Sequence, residues 1–243
     1  MDLKVAELLG ARRLAATFYV ALRGHHGGPT LEPTQLRSLA SNGFEVGGHS
    51  LSHNSLPPLD GKEITLEVLN CKNWLDDLLG KPIRMFCYPK GRFNAKVISG
   101  VKLAGYRGAR TNRMLGRMLD FSPYEMPTTL QAHPLDRYDY LRSALRAASP
   151  GRILQYLARV SRASSWVELG KELFDVVVRQ GGVWHLYGHS WQIEQMGLWG
   201  DLEEILDYVA GREGVRYVTN AEVLDFLPHK IPAVSEPARL STR

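Results

Sequence analysis

Apolar positions along the chain fall into two alternating rhythms. Leu3, Val5, Leu8 and Leu9 make a short helical stripe, and the continuous apolar run Leu14 to Leu22 (LAATFYVAL) follows it as a buried strand, closed by glycine-rich RGHHGGP. Helical spacing returns from about Thr34, with Leu36, Leu39 and Ala40 on one face, and stops at Asn42-Gly43. FEVGG reads as the next strand. The stretch EITLEVLNCKNWLDDLLG then spaces Ile64, Leu66, Val68, Leu69, Trp74, Leu75, Leu78 and Leu79 as a helix, with Gly80 as its stop. MFCYP predicts a third strand and AKVISGVKLAG a further helix ended by Gly105.

The pattern is less legible from about 106 to 150. Two helical stretches are expected around 151 to 180, then the apolar strand GGVWHLYGH, a helix at DLEEILDYVAGREG, a short strand VRYVT and a helical NAEVLDFL. The tail, 228–243, has three prolines and mixed small polar residues and reads as flexible. Strands alternating with helices, without an internal repeat or a low-complexity block, predict an α/β architecture and one domain over residues 1–227.

Composition narrows the class. With 243 residues, 44% hydrophobic and 23% charged, the chain has enough apolar material for a sizeable core. The stretch MDLKVAELLGARRLAATFYV carries charges too early for a signal peptide, and no run of 18 apolar residues spans a bilayer, so the expectation is a cytoplasmic protein with no membrane partner. Cys71 and Cys87 sit in neither a C-x-x-C nor a secreted-type framework, which fits a reduced interior and leaves a disulfide between them open. The net charge of +5 is thickest at Arg107, Arg110, Arg113 and Arg117 and again from Arg137 to Arg162. No base-reading module or stacking platform accompanies those arginines, so they read as a solvated face and nucleic acid is not expected as a partner.

Candidate chemistry clusters just after predicted strands, where α/β folds build their sites. His49 and His53 in HSLSH stand four residues apart, a spacing that on a helix places both imidazoles on one face and would let them hold an ion such as Zn²⁺. Exposed or capped histidines show the same spacing. FCYPKGRFN holds a proline, a glycine and three aromatics around one turn, which either points backbone amides outward with Tyr88 walling a pocket, or is an ordinary turn with Asn94 capping the next helix. In VWHLYGHSW, His185 lies inside an apolar strand as a satisfied core histidine, whereas His189, beside Gly188 and Trp191, is placed to meet a substrate as an acid or base.

Taken in order, ATFYV, GFEVGGHSLSH, FCYPKGRFN, AGYRGARTN and WHLYGHSW resemble the polysaccharide deacetylase family, carbohydrate esterases that share the nodulation-type (NodB) homology domain, from residue 3 to about 226. The resemblance implies an irregular (β/α) barrel and a metal-dependent hydrolase acting on the N-acetyl group of a sugar or related amide. It makes His49 and His53 ligands of a divalent ion, usually zinc, and His189 the general acid to the leaving amine. It places the proline-glycine loop along the substrate groove, with an oxyanion-binding amide near Lys90 shaped by Tyr88, Pro89 and Gly91, and leaves Trp191 as a substrate contact.

The sequence departs from the family at two places. The family's first motif, a T-F-D-D-G-like strand end that supplies the catalytic base and the metal-binding aspartate, is not found ahead of LKVAELLGARRLAATFYV, where the only acids are Asp2 and Glu7. The expectation is therefore a barrel short of its first strand, truncated and weakly active, with a two-histidine site. The alternative is a carbohydrate-binding or regulatory pseudoenzyme that keeps the pocket. An opened barrel edge could also be completed by a second copy, giving a homo-oligomer. The family's arginine before the proline-glycine loop is not matched: Phe86 falls near its place, with Arg84 two residues earlier, and Arg110 reads either as an orienting substrate contact or as a solvent-facing arginine.

Overall fold

The computed structural model of the protein describes residues 1–23, 31–117, 119–134, 136–147 and 158–228. Residues 229–243 of the expected flexible tail lie outside them, as do 24–30 of the glycine-rich loop and the start of the helical stretch expected at 151.

Four short parallel strands organise the amino-terminal part: β1 (Thr17–Val20), β2 (Glu45–Gly48), β3 (Met85–Cys87) and β4 (Gly108–Arg110), in the spatial order β1-β2-β3-β4. Thr17 lies opposite Glu45 and Met85 opposite Gly108. Parallel neighbours need crossovers, which α2 (Pro33–Ser41), α3 (Gly61–Leu79) and α4 (Ala95–Leu103) supply, with α1 (Asp2–Ala11) ahead of them. Their ends follow the sequence signals. Asp60 accepts hydrogen bonds from the amides of Lys62 and Glu63 while Glu63 reaches back to the Asp60 amide, and α3 stops at Gly80 in the left-handed region, φ 65°. Asn94 caps α4 by accepting from the Val97 amide at 3.0 Å, so the turn-and-cap reading of that loop holds locally.

A second parallel pair, β5 (Leu130–Gln131) with β6 (Leu186–Tyr187), belongs to the carboxyl-terminal part. Helices α5 (Arg137–Ala147) and α6 (Trp166–Gln180) separate the two strands; α7 (Ser190–Gln195), α8 (Trp199–Val209) and α9 (Asn220–Val223) follow. Leu36, Leu56, Val68, Phe86 and Tyr106 centre one core under the four-stranded sheet, and Leu130, Trp166, Leu169, Phe174 and Ile205 centre another around α6 and α8. Both are layers of apolar side chains removed from water, the main source of folding free energy.

Two expectations are corrected. VRYVT is not a strand: residues 215–219 make no strand pairing, and the Tyr217 hydroxyl donates back to the Val209 carbonyl while Thr219 caps α9. The strand expected over GGVWHLYGH shrinks to two residues because the amide of His185 donates to Thr129 Oγ1 and the Trp184 indole to the Gly170 carbonyl. Cys71 and Cys87 are both free and buried. The arginine-rich middle is distributed over separate partners, Arg107 to Asp225 at 2.9 Å, Arg113 to Glu125 at 3.0 Å and Arg117 to the Gln180 side chain at 2.8 Å. Among the described residues no helix is long and apolar enough to cross a membrane.

Candidate functional site

The site is built at the carboxyl ends of β1 to β4. β2 finishes in Gly47 and Gly48, and both must be small: a Cβ on Gly47 would lie 2.6 Å from the Tyr19 ring, and one on Gly48 would run into the Tyr106 hydroxyl and Cys71. His49 continues the strand by donating its amide to the Val20 carbonyl at 2.9 Å. From there the chain departs from the shared helical face expected for His49 and His53. Ser50 and His53 take left-handed backbone angles, φ 69° and 57°, and residues 49–56 form a loop rather than a helix. Each such angle costs a non-glycine residue roughly 1–2 kcal/mol, and local hydrogen bonds hold the loop against that cost. The His53 amide donates to Ser50 Oγ at 2.9 Å, while Glu67 of α3 accepts from the Ser52 amide at 2.9 Å and the Ser52 hydroxyl at 2.6 Å.

The loop brings the two imidazoles together by a different route from the one the spacing suggested. Their Nε2 atoms are 3.2 Å apart, with the rings edge to face. His49 Nδ1–H donates to the Cys87 carbonyl at 2.7 Å, which makes its Nε2 the acceptor facing His53 Nε2 and the atom that would ligate a metal. Burial drives the His49 pKa down to about 4, the Cys87 bond acting against it and the charge of Arg110 with it, so the ring is neutral at neutral pH. Two ligands at roughly 2.0–2.1 Å from one tetrahedral zinc stand about 3.3–3.4 Å apart. The pair therefore fits two positions of a divalent ion's shell. Among the described residues no group of three His, Cys, Asp or Glu side chains could hold a metal.

Arg110 at the end of β4 connects this pair to the second sheet. Its guanidinium carbon lies 4.5 Å from the centre of the Tyr187 ring and 5.5 Å from that of Tyr19. The same charge lowers the pKa values of His49, His185 and His189, which places all three histidines within its field. His185 is the satisfied histidine anticipated: Nδ1–H donates to the Pro127 carbonyl at 3.1 Å, and burial pushes its pKa to about 4. His189 is exposed just past β6, its Nδ1–H donating to Gln192 Oε1 at 2.8 Å. Its pKa is lowered, first by desolvation, with the Gln192 bond acting in the opposite sense. Trp191 stands beside it, 53% exposed, with ring centres 5.9 Å apart.

The proline-glycine loop follows directly on Cys87. Lys90, φ 57°, is exposed in a tight 3-10 turn, and Gly91, φ 64°, has Asn112 where a Cβ would stand. Pro89 is buried. Tyr88 does not wall an open pocket: it is 1% exposed, stacks on Phe93 and donates its hydroxyl to the Tyr124 carbonyl. Phe86 is fully buried and Arg84 faces solvent, leaving Arg110 as the arginine at the site. Glu67, the Cys87 carbonyl and Tyr187 went unread in the sequence. Glu67 is fifteen residues from Ser52 and lies in an ordinary helical pattern, so no local signal joins them.

The fold type follows from comparison with solved structures. A Mycobacterium smegmatis protein assigned as a polysaccharide deacetylase superposes with a TM-score of 0.65 at 18% identity, covering 93% of this chain and 76% of that one. The family 4 carbohydrate esterase from Streptomyces lividans, solved with acetate, gives 0.53 at 15% identity over 86% and 81%. At these identities the likeness establishes a shared (β/α) barrel-type fold. The Streptococcus pyogenes deacetylase PplD, also solved with acetate, aligns at 19% identity with a TM-score of 0.47 over 51% of this chain, which spans 55% of that protein. No curated protein matches the chain. Residues 2–109 match the family model Polysaccharide deacetylase, and over those residues the chain carries that family's sequence pattern.

Proposed function

We propose that the chain, with residues 1–227 as one domain, is a polysaccharide-deacetylase-like hydrolase acting on the N-acetyl group of a sugar or related amide, with a divalent ion, zinc by its donor chemistry, on His49 and His53. The observation that carries this reading is the converging Nε2 pair at 3.2 Å, one ring locked into the ligating tautomer by the Cys87 carbonyl. When bound, such an ion polarises an acyl carbonyl and acidifies water.

The chain's own groups supply the remaining tasks. His189 is open to solvent and held by Gln192, so it can pass a proton to a leaving amine; its lowered pKa keeps it neutral at neutral pH, and it must first collect that proton within the site. The left-handed turn at Lys90 presents backbone at the mouth of the site, where an amide can face a developing oxyanion. Exposed Trp191 offers a flat apolar face to a sugar ring.

A second reading, a carbohydrate-binding or regulatory pseudoenzyme, is favoured by one observation: no three-ligand group accompanies the pair among the described residues. Acetate release from a chitooligosaccharide with added zinc separates the two. Turnover that disappears in His49→Ala supports the hydrolase, and saturable glycan binding without turnover supports the pseudoenzyme.

A further inference from the structure

Among the described residues Arg110 has no acidic partner. Its Nε is buried and makes no hydrogen bond there, and the one hydrogen bond it makes among those residues is a long contact of 3.4 Å from a terminal nitrogen to the Thr111 carbonyl. Tyr19 and Tyr187 present their ring faces to it. Every other arginine of the middle segment has a polar or acidic partner, Arg107 with Asp225, Arg113 with Glu125 and Arg117 with Gln180. Arg110 is half-buried, and the fork of parallel N–H donors of a guanidinium matches the two oxygens of a carboxylate.

We propose that Arg110, walled by Tyr187 and Tyr19 and adjoining the histidine pair, is the receptor for a carboxylate on the ligand of this site. One guanidinium matches a single negative charge, and its planar fork suits a planar group. The carboxylate has two chemical sources, a free small acid of the kind released by acyl hydrolysis, or a carboxyl group borne by the sugar itself. The inference adds a ligand class to the deacetylase-like reading and rests on it only for the choice of sugar probes.

The test is binding to the full chain, followed by NMR or calorimetry at fixed ionic strength, with two matched pairs: acetate against acetamide, and glucuronate against glucose. The members of each pair have nearly the same shape and differ in charge. Acetate is expected to bind about tenfold or more tightly than acetamide, as a charge-assisted contact requires. Arg110→Gln is expected to erase that preference and Arg110→Lys to keep part of it. If glucuronate also exceeds glucose, the sugar is the source; if acetate alone is preferred, the free acid is. Equal binding of acetate and acetamide overturns the proposal, as does a preference that survives in Arg110→Gln. The acetate and acetamide pair is read on the unaltered protein, so it decides even where a variant fails to fold. None of these outcomes bears on acetate release from a chitooligosaccharide, which tests hydrolysis separately.

Discussion

His49 and His189 are the same side chain placed in two kinds of surroundings, and the contrast separates holding from reacting. His49 extends from the sheet, is fixed by the backbone carbonyl of Cys87, and is kept neutral by burial to a pKa of about 4. His189 sits past a two-residue strand, is exposed, and is oriented only by the side chain of Gln192. A ring whose tautomer is set by main chain suits a fixed ligand, while a ring at the solvent edge with a movable partner suits proton transfer.

The contrast is broken most directly by metal affinity. Loss of an outer partner of a ligand typically weakens metal binding by about 10-fold to 100-fold, so His49→Ala, which removes the ligand, is expected to weaken zinc by about 100-fold or more. His189→Ala is expected to change it by less than about threefold. Competition with a chromogenic chelator reads both, and equal losses would end the distinction.

The next effect is on acid stability. His49 and His185 have folded pKa values of about 4, below the unfolded value near 6.5, so the unfolded chain binds more protons between those limits. Stability is therefore full above about pH 6.5 and falls as the pH drops toward 4, on the order of 2 kcal/mol for each ring, since each keeps some contact with water. Urea midpoints at pH 7 and pH 4.5 measure the fall, and His49→Gln is expected to flatten it.

A smaller effect is expected from the staple under the loop. Glu67→Ala removes both bonds to Ser52 and is expected to cost about 1–2 kcal/mol of stability and about tenfold in zinc affinity, with Glu67→Gln milder. Smallest is Gln192→Ala, which is expected to leave stability within about 0.5 kcal/mol and to lower the His189 pKa further, because the Gln192 bond raises it. An NMR titration of the His189 ring that does not move, or moves upward, would remove Gln192 from the account.

Local signals in the sequence located most of the helices and three strands of the four-stranded sheet, β4 falling in the less legible stretch after residue 106. Asp60, Gly80 and Asn94 mark helix ends through hydrogen bonds made within a few residues, so their meaning is visible in a short window. His49 and His53 were recognised as a pair for a reason that did not hold: four-residue spacing suggested a helix, whereas left-handed Ser50 and His53 fold a loop that gives the same proximity. The miss at VRYVT has the same origin, since an alternating β-branched and aromatic stretch makes a strand only where a neighbour offers an edge. Glu67 and the Cys87 carbonyl could not be read at all, because their partners, Ser52 and His49, are joined to them only by the fold.

The two buried thiols carry a practical consequence. Burial raises the Cys71 pKa to about 12 and also raises that of Cys87, so neither is a thiolate in the native protein at neutral pH. Cys71 packs beneath β1 and β2 and Cys87 ends β3, so an alkylating reagent reaches them only when the sheet opens. Their labelling rates are thus a clock for the opening of the strands that carry the histidines, read by mass spectrometry without any added probe.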